Sequence, residues 1–131
     1  MVIVENNKKG CYMFTIQQVS EKTGLTAHTL RYYEKCGLID PVERDTNGYR
    51  MYQGDDLGRI NMLCCLRRTG MSIADMQTFA ELMRAGDHTF YQRRTVLENH
   101  REQVEMQICE LQDMLKIIQH KIDYYAQAEA N

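Results

Sequence analysis

Apolar positions along this chain recur every three or four residues, and each of the first four helical runs is bounded by a capping hydroxyl or carboxylate at one end and a glycine at the other. In residues 14–24, Ile16 and Val19 share a helical face, and Thr15 and Gln18 have capping-box spacing. Phe14 and Val19 form a hydrophobic staple, and Gly24 closes the helix. In residues 26–37, Thr26 caps a second short helix, Leu25 and Leu30 staple it, and Gly37 stops it in a left-handed conformation. Asp55 or Asp56 starts a third helix that runs to about Thr69, with Leu57, Ile60, Leu63 and Cys64 on one stripe and Gly70 behind it. Ser72 with Asp75 caps a fourth, stapled by Met71 and Met76, carrying Ile73, Phe79, Ala80, Leu82 and Met83, and ending at Gly86. Between the second and third helices the period changes. Asn47 followed by Gly48 marks a tight hairpin turn, so residues 42–44 pair with 49–52.

From Thr89 to about Ala128 there is neither glycine nor proline. Leu97, Val104, Ile108, Leu111, Leu115, Ile118, Ile122 and Tyr125 alternate by three and four after one seven-residue step, in which Arg101 fills the gap. That is a coiled-coil seam. A helix of about 36 residues spans roughly 50 Å, too long to pack wholly on so small a body, so the stripe calls for a partner. A second copy of the chain is the economical choice, and pairing within the chain is the other.

Two short helices about a glycine-containing turn define a helix-turn-helix, whose second helix enters the major groove of DNA. The outer face of that second helix carries His28, Thr29, Arg31, Tyr32 and Lys35, and Thr26 stands at its start. Their hydroxyl, guanidinium, phenol and ammonium groups suit phosphate oxygens and base edges. The hairpin that follows presents Arg44, Asn47, Arg50 and Tyr52, as a wing beside the groove would. A solvated helix and a solvated hairpin would carry the same residues without any partner.

Composition narrows the classes rather than choosing among them. Apolar residues make up 44% and charged residues 26% of 131, which fits a globular chain. No apolar run approaches the roughly 20 residues that a bilayer requires. The net charge is −2, and residues 14–70 hold 8 basic and 7 acidic side chains, so DNA binding must come from locally aimed groups. Residues 1–12 read as a flexible arm, with no export signal. Five cysteines without framework spacing imply reduced thiols and a cytoplasmic setting. No Cys-x-x-Cys pair, zinc pattern or nucleophile–base pair is present, so neither a metal site, nor a cofactor, nor an enzyme is expected.

Thr-Ile-Gln-Gln-Val, then Thr-Leu-Arg-Tyr-Tyr-Glu-Lys-Cys-Gly-Leu-Ile, then Gly-Tyr-Arg-Met-Tyr, then Leu-Arg-Arg-Thr-Gly-Met-Ser-Ile, occur in that order between about Met13 and Gly86. Together they resemble the mercury-resistance-regulator (MerR) family. The resemblance implies a mainly α chain: a winged helix-turn-helix DNA-binding domain with a helix pair over residues 13–86, then a long coiled-coil helix over 87–131 that dimerises antiparallel. It implies double-stranded promoter DNA and a second copy as partners, with RNA polymerase engaged indirectly as the dimer bends and untwists an overlong promoter spacer. Thr26, His28, Thr29, Arg31, Tyr32, Lys35, Arg44, Arg50 and Tyr52 are the expected DNA-binding set.

Metal-sensing branches of the family carry thiols near the start of the dimer helix and after its end. Residues 86–89 and 124–131 contain none here, and the chain stops soon after the helix, leaving no separate effector domain expected. Cys65 is the candidate sensor. Cys64 lies on the apolar stripe, whereas Cys65 points away from it with Arg68 three residues on. The run from Cys65 to Ile73 resembles the subgroup that senses aldehydes and other thiol-reactive stress through one cysteine. The alternatives are the same module answering a small apolar ligand or a metal, and a coiled-coil interaction protein that no longer reads DNA.

Overall fold

The computed structural model describes residues 4–6 and 11–131. The chain runs β1 (Val4–Asn6), β2 (Cys11–Thr15), α1 (Ile16–Thr23), α2 (Ala27–Lys35), β3 (Glu43–Arg44), β4 (Arg50–Gln53), α3 (Gly54–Arg68) and α4 (Ile73–Ala85). A single 3₁₀ turn over Asp87–Thr89 precedes α5 (Phe90–Glu129). It divides into two compact units, one ending at Thr89 and one running from Phe90 to Asn131.

The helices start and stop where their caps dictate. Thr15 Oγ1 accepts from the Gln18 amide while the Gln18 side chain accepts from the Thr15 amide, and Gly24 ends α1 at φ +77°. Thr26 and Ser72 accept from the amides of Thr29 and Asp75 in the same way. Helix α2 closes with paired bonds: the Gly37 amide to the Glu34 carbonyl, and the Leu38 amide to that of Tyr33. This places Leu38 beside Tyr33 in the core, both nearly inaccessible to solvent. Only a residue tolerant of φ +77° can stand between them, and Gly37 does. Helix α3 ends identically through Gly70 and Met71. It starts earlier than the aspartates suggested, at Gly54, because the Asp56 carboxylate reaches back to the Gln53 amide at 2.9 Å.

Three sequence expectations need correcting. The hairpin, expected as two strands, is the outer half of a four-stranded antiparallel sheet of order β1-β2-β4-β3. Strand β2 pairs with β4 in the register Phe14↔Tyr52, which anchors a pairing too small to stand by itself. The hairpin's first strand, β3 at the sheet edge, begins at Glu43, because Val42 gives its amide to the Glu34 side chain instead. Finally, the arm expected to be loose contains β1 and the start of β2, with Glu5 opposite Tyr12. A two-stranded edge left bare exposes unpaired amides and carbonyls, and β1 covers it. Residues 1–3 and 7–10 of that arm lie outside the described residues.

The core of the first unit draws on α1, α2, β4, α3 and α4: Val19, Leu30, Tyr33, Tyr52, Ile60, Leu63 and Met76 are all but inaccessible. The stripe predicted for α3 is right at Ile60, Leu63 and Cys64, and Leu66 joins it. Helix α5 is a single 40-residue helix and buries no residue of its own. Ile108, Leu111, Leu115, Ile118, Ile122 and Tyr125 are 49% to 65% exposed, Leu97 and Val104 less so. Ile117 and Tyr124, also exposed, widen the apolar face beyond the predicted seam.

Burial raises the phenols of Tyr33 and Tyr52 above their ordinary value. The folded state favours their protonated form, so their contribution is intact below about pH 10, where an unfolded tyrosine ionises, and is lost as the pH rises beyond it. Urea unfolding at pH 8 and pH 10.5 is expected to show a marked loss of stability, and the double change Tyr33→Phe, Tyr52→Phe to reduce that loss.

Candidate nucleic-acid interface

Helix α2 buries Leu30 and Tyr33 and leaves the opposite face in solvent. His28, Arg31, Tyr32 and Lys35 are exposed there, and Thr29 is partly so. The Thr26 hydroxyl is committed locally, accepting from the Thr29 amide at 3.1 Å and donating to the Thr29 hydroxyl at 2.9 Å. That leaves the Thr29 O–H free to donate outward. The hydrogen bond between the Tyr32 phenol and the Cys36 thiol raises the phenol above its ordinary value. Tyr32 is therefore a neutral donor and acceptor over the whole physiological range.

Next to α2 stands the wing. Its turn is fixed from within: the Asp45 carboxylate accepts from the amides of Asn47 and Tyr49 at 2.8 and 2.9 Å, and the Gly48 amide bonds to the Asp45 carbonyl. Gly48 supplies the required φ of +84°. Arg44 is exposed and donates to the Gly48 carbonyl at 2.8 Å, which aims its guanidinium along the hairpin.

An open groove separates the wing from the helices. Arg31 comes from α2, Arg44, Tyr49 and Arg50 from the wing, and Thr15 and Gln17 from the start of α1. Three arginines and the start of α1 thus line one concavity, an arrangement suited to anionic oxygens. One carboxylate, Asp45, shares the groove, but it is engaged by the turn amides.

Two members of the expected set have other roles. Tyr52 is fully buried, with a phenol raised first by burial and then by the nearby Glu34 carboxylate, so it is a core residue and does not face DNA. The reason is strand parity: Arg50 and Tyr52 share the inward face of β4, opposite that of their neighbours. Arg50 is largely covered too, donating from Nε to Glu34 Oε2 at 2.7 Å while still lining the groove. The exposed phenol of the wing is Tyr49, 70% accessible, which the sequence argument passed over.

Glu34 is the other omission. It is the only acid of α2, and its two oxygens go to two parts of the wing: Oε1 to the Val42 amide at 3.2 Å and Oε2 to Arg50. A lone carboxylate on a helix otherwise built for anions was the available signal.

The two thiols of α3 differ as their spacing required. Cys64 is buried, which pushes its thiol up, with Arg68 opposing the effect and Cys65 adding to it; Cys65 is exposed. The charge of Arg68 therefore acts on Cys64, and its guanidinium also comes within 3.5 Å of where a Cβ on Gly24 would lie.

These features define a winged helix-turn-helix followed by a long amphipathic helix. The pattern described as "MerR HTH family regulatory protein" matches residues 14–82, and that described as "MerR, DNA binding" matches residues 57–121. The chain belongs to the MerR family of transcriptional regulators. It is 39% identical over 117 residues to an HTH-type transcriptional regulator of Haemophilus influenzae, covering 89% of this chain and 87% of that one. It is 40% identical over 89 residues to the HTH-type transcriptional regulator AdhR of Bacillus subtilis, covering 68% and 64%. Among solved structures it is similar to HiNmlR, a MerR family regulator lacking the sensor domain and bound to promoter DNA. That similarity has a TM-score of 0.81 and 39% identity over 90% of this chain and 94% of the other. No described helix is long and apolar enough to cross a membrane.

Glu34→Ala is expected to free the Val42 amide and the Arg50 guanidinium together, and to lower stability by about 1–3 kcal/mol. Amide exchange at Val42 should accelerate while exchange at Leu30 changes only by the global loss.

Proposed function

We propose that this chain is a cytoplasmic, non-enzymatic regulator that binds double-stranded promoter DNA as a homodimer and distorts the promoter spacer for RNA polymerase, with modification of Cys65 as the trigger. The observation that carries the DNA reading is the groove in which Arg31, Arg44 and Arg50 converge beside the exposed face of α2. His28 and Thr29, nearest the N-terminal end of α2, read base edges, while Arg31, Tyr32, Lys35 and the wing arginines hold the backbone. A groove of this kind within a net charge of −2 favours a specific site over bulk DNA. Similarity to a regulator bound to promoter DNA supports the same reading.

Arg31→Ala should weaken binding to specific and unrelated duplexes alike and lower the salt slope by about one unit. Titration of the duplex selected by the protein from genomic fragments, at several salt concentrations, checks this. An unchanged slope would remove α2 from the groove.

For the dimer, the support is a 40-residue helix with an apolar face and no buried residue. Charged replacements at Leu111 and Leu115 should yield monomers by sedimentation, since unpaired charges in a dry interface are strongly unfavourable.

For the trigger, the support is an exposed Cys65 beside a buried Cys64, on a chain similar to AdhR. An aldehyde adduct or a sulfenate at Cys65 changes volume and charge on α3, and packed helices respond to added volume by shifting. Bending or untwisting DNA costs on the order of 1–6 kcal/mol, within reach of such a shift. Cys65→Ser should keep DNA binding and lose the transcriptional response to aldehyde, whereas Cys64→Ser mainly lowers stability. A full response in Cys65→Ser would instead favour a small apolar ligand as effector.

A further inference from the structure

The C-terminal end of α2 is gripped by side chains from two other helices. Gln77 of α4 donates from Nε2 to the Cys36 carbonyl at 2.9 Å. Arg84, two turns further along α4, donates to the next carbonyl, that of Gly37, and through Nε to Asp40 Oδ1. Arg59 of α3 reaches the other oxygen of Asp40 at 3.4 Å. Leu38, Ile39, Ala80 and Met83 lie around the same point.

Three physical arguments give this cluster a purpose. Carbonyls at a helix C-terminus lack intrahelical partners and carry partial negative charge, so cationic and amide donors are well placed there. The ion pairs are too exposed, at 36% to 51%, to add much stability. Yet α2 has only nine residues, so a tilt of about ten degrees at one end displaces the other by about 2 Å. Donors that contribute little energy can still fix where the base-reading end points. The groove is lined by a different set of residues, so the cluster acts on α2 without facing the groove's anions.

We propose that Gln77 and Arg84 are positioning residues for DNA recognition: from α4 they hold the carbonyls of Cys36 and Gly37, the two residues that follow α2, and Asp40 ties that hold to α3. This rests on the DNA-binding reading above. The test compares wild type, Arg84→Gln, Gln77→Met, Asp40→Asn and the double variant Asp40→Asn, Arg84→Gln. Binding is measured to the duplex the wild type selects and to a scrambled duplex of equal length, across a range of salt, with thermal unfolding alongside.

Arg84→Gln should weaken selected-duplex binding by about tenfold while leaving scrambled-duplex affinity, salt slope and unfolding midpoint nearly unchanged. The double variant should lose less than the sum of Asp40→Asn and Arg84→Gln, since the two residues share a contact. Gln77→Met, which keeps a good helix former in place, should lose specificity in the same sense and so stands in if Arg84→Gln folds poorly. Equal losses on both duplexes with a lowered salt slope would make Arg84 a phosphate contact and overturn the proposal. Retained specificity in both Arg84→Gln and Gln77→Met would overturn it as well. A wild type without preference for any duplex would instead bring down the DNA-binding reading, and the proposal with it.

Discussion

One carboxylate holds the candidate interface together. Glu34 is the only acid on a helix whose exposed face carries His28, Arg31 and Lys35, and its two oxygens reach the chain on either side of the wing turn. Without it, the hairpin would be joined to α2 only through the five residues between Gly37 and Glu43 and through the core. With it, the spacing between the Arg31 face and the wing arginines is set before any ligand arrives. Preorganised charge of this kind is what lets a chain with no excess of basic residues compete for a polyanion.

Helix existence was legible because capping and apolar period agreed at most boundaries of α1, α2 and α4. Thr15, Thr26 and Ser72 cap where expected, and Gly24, Gly37 and Gly86 end the same helices. What failed was side-chain direction on a short strand. Arg50 and Tyr52 looked like surface chemistry because of their residue types, but a period of two turns both toward α2 and sends Tyr49 outward. Pairing partners distant in sequence were also out of reach. Nothing local in Val4–Asn6 announces a strand, because Asn-Asn-Lys-Lys-Gly spans residues 6–10 and reads as loop, and only the waiting edge of β2 gives it a place. The contacts of Glu34, Asp40 and Arg84 span 8 to 47 residues and exist only once the helices have docked.

The thiols illustrate a different limit. Periodicity correctly separated an inward Cys64 from an outward Cys65, because 100° per residue is fixed geometry. It could not assign the neighbouring guanidinium, since a three-residue spacing allows proximity without requiring it. Arg68 lies where it acts on the buried sulfur and packs near Gly24, linking α3 to the turn between α1 and α2.

At the wing tip, Asp45 and Gly48 supply everything the turn needs: the acceptor for two amides and the one unusual backbone angle. Thr46 and Asn47 therefore lie at the apex with exposed side chains and no share in holding the fold upright. Those two positions form an interchangeable tip on a fixed frame. Substitution at the apex alone leaves in place the Asp45 carboxylate and the Gly48 backbone angle that shape the turn.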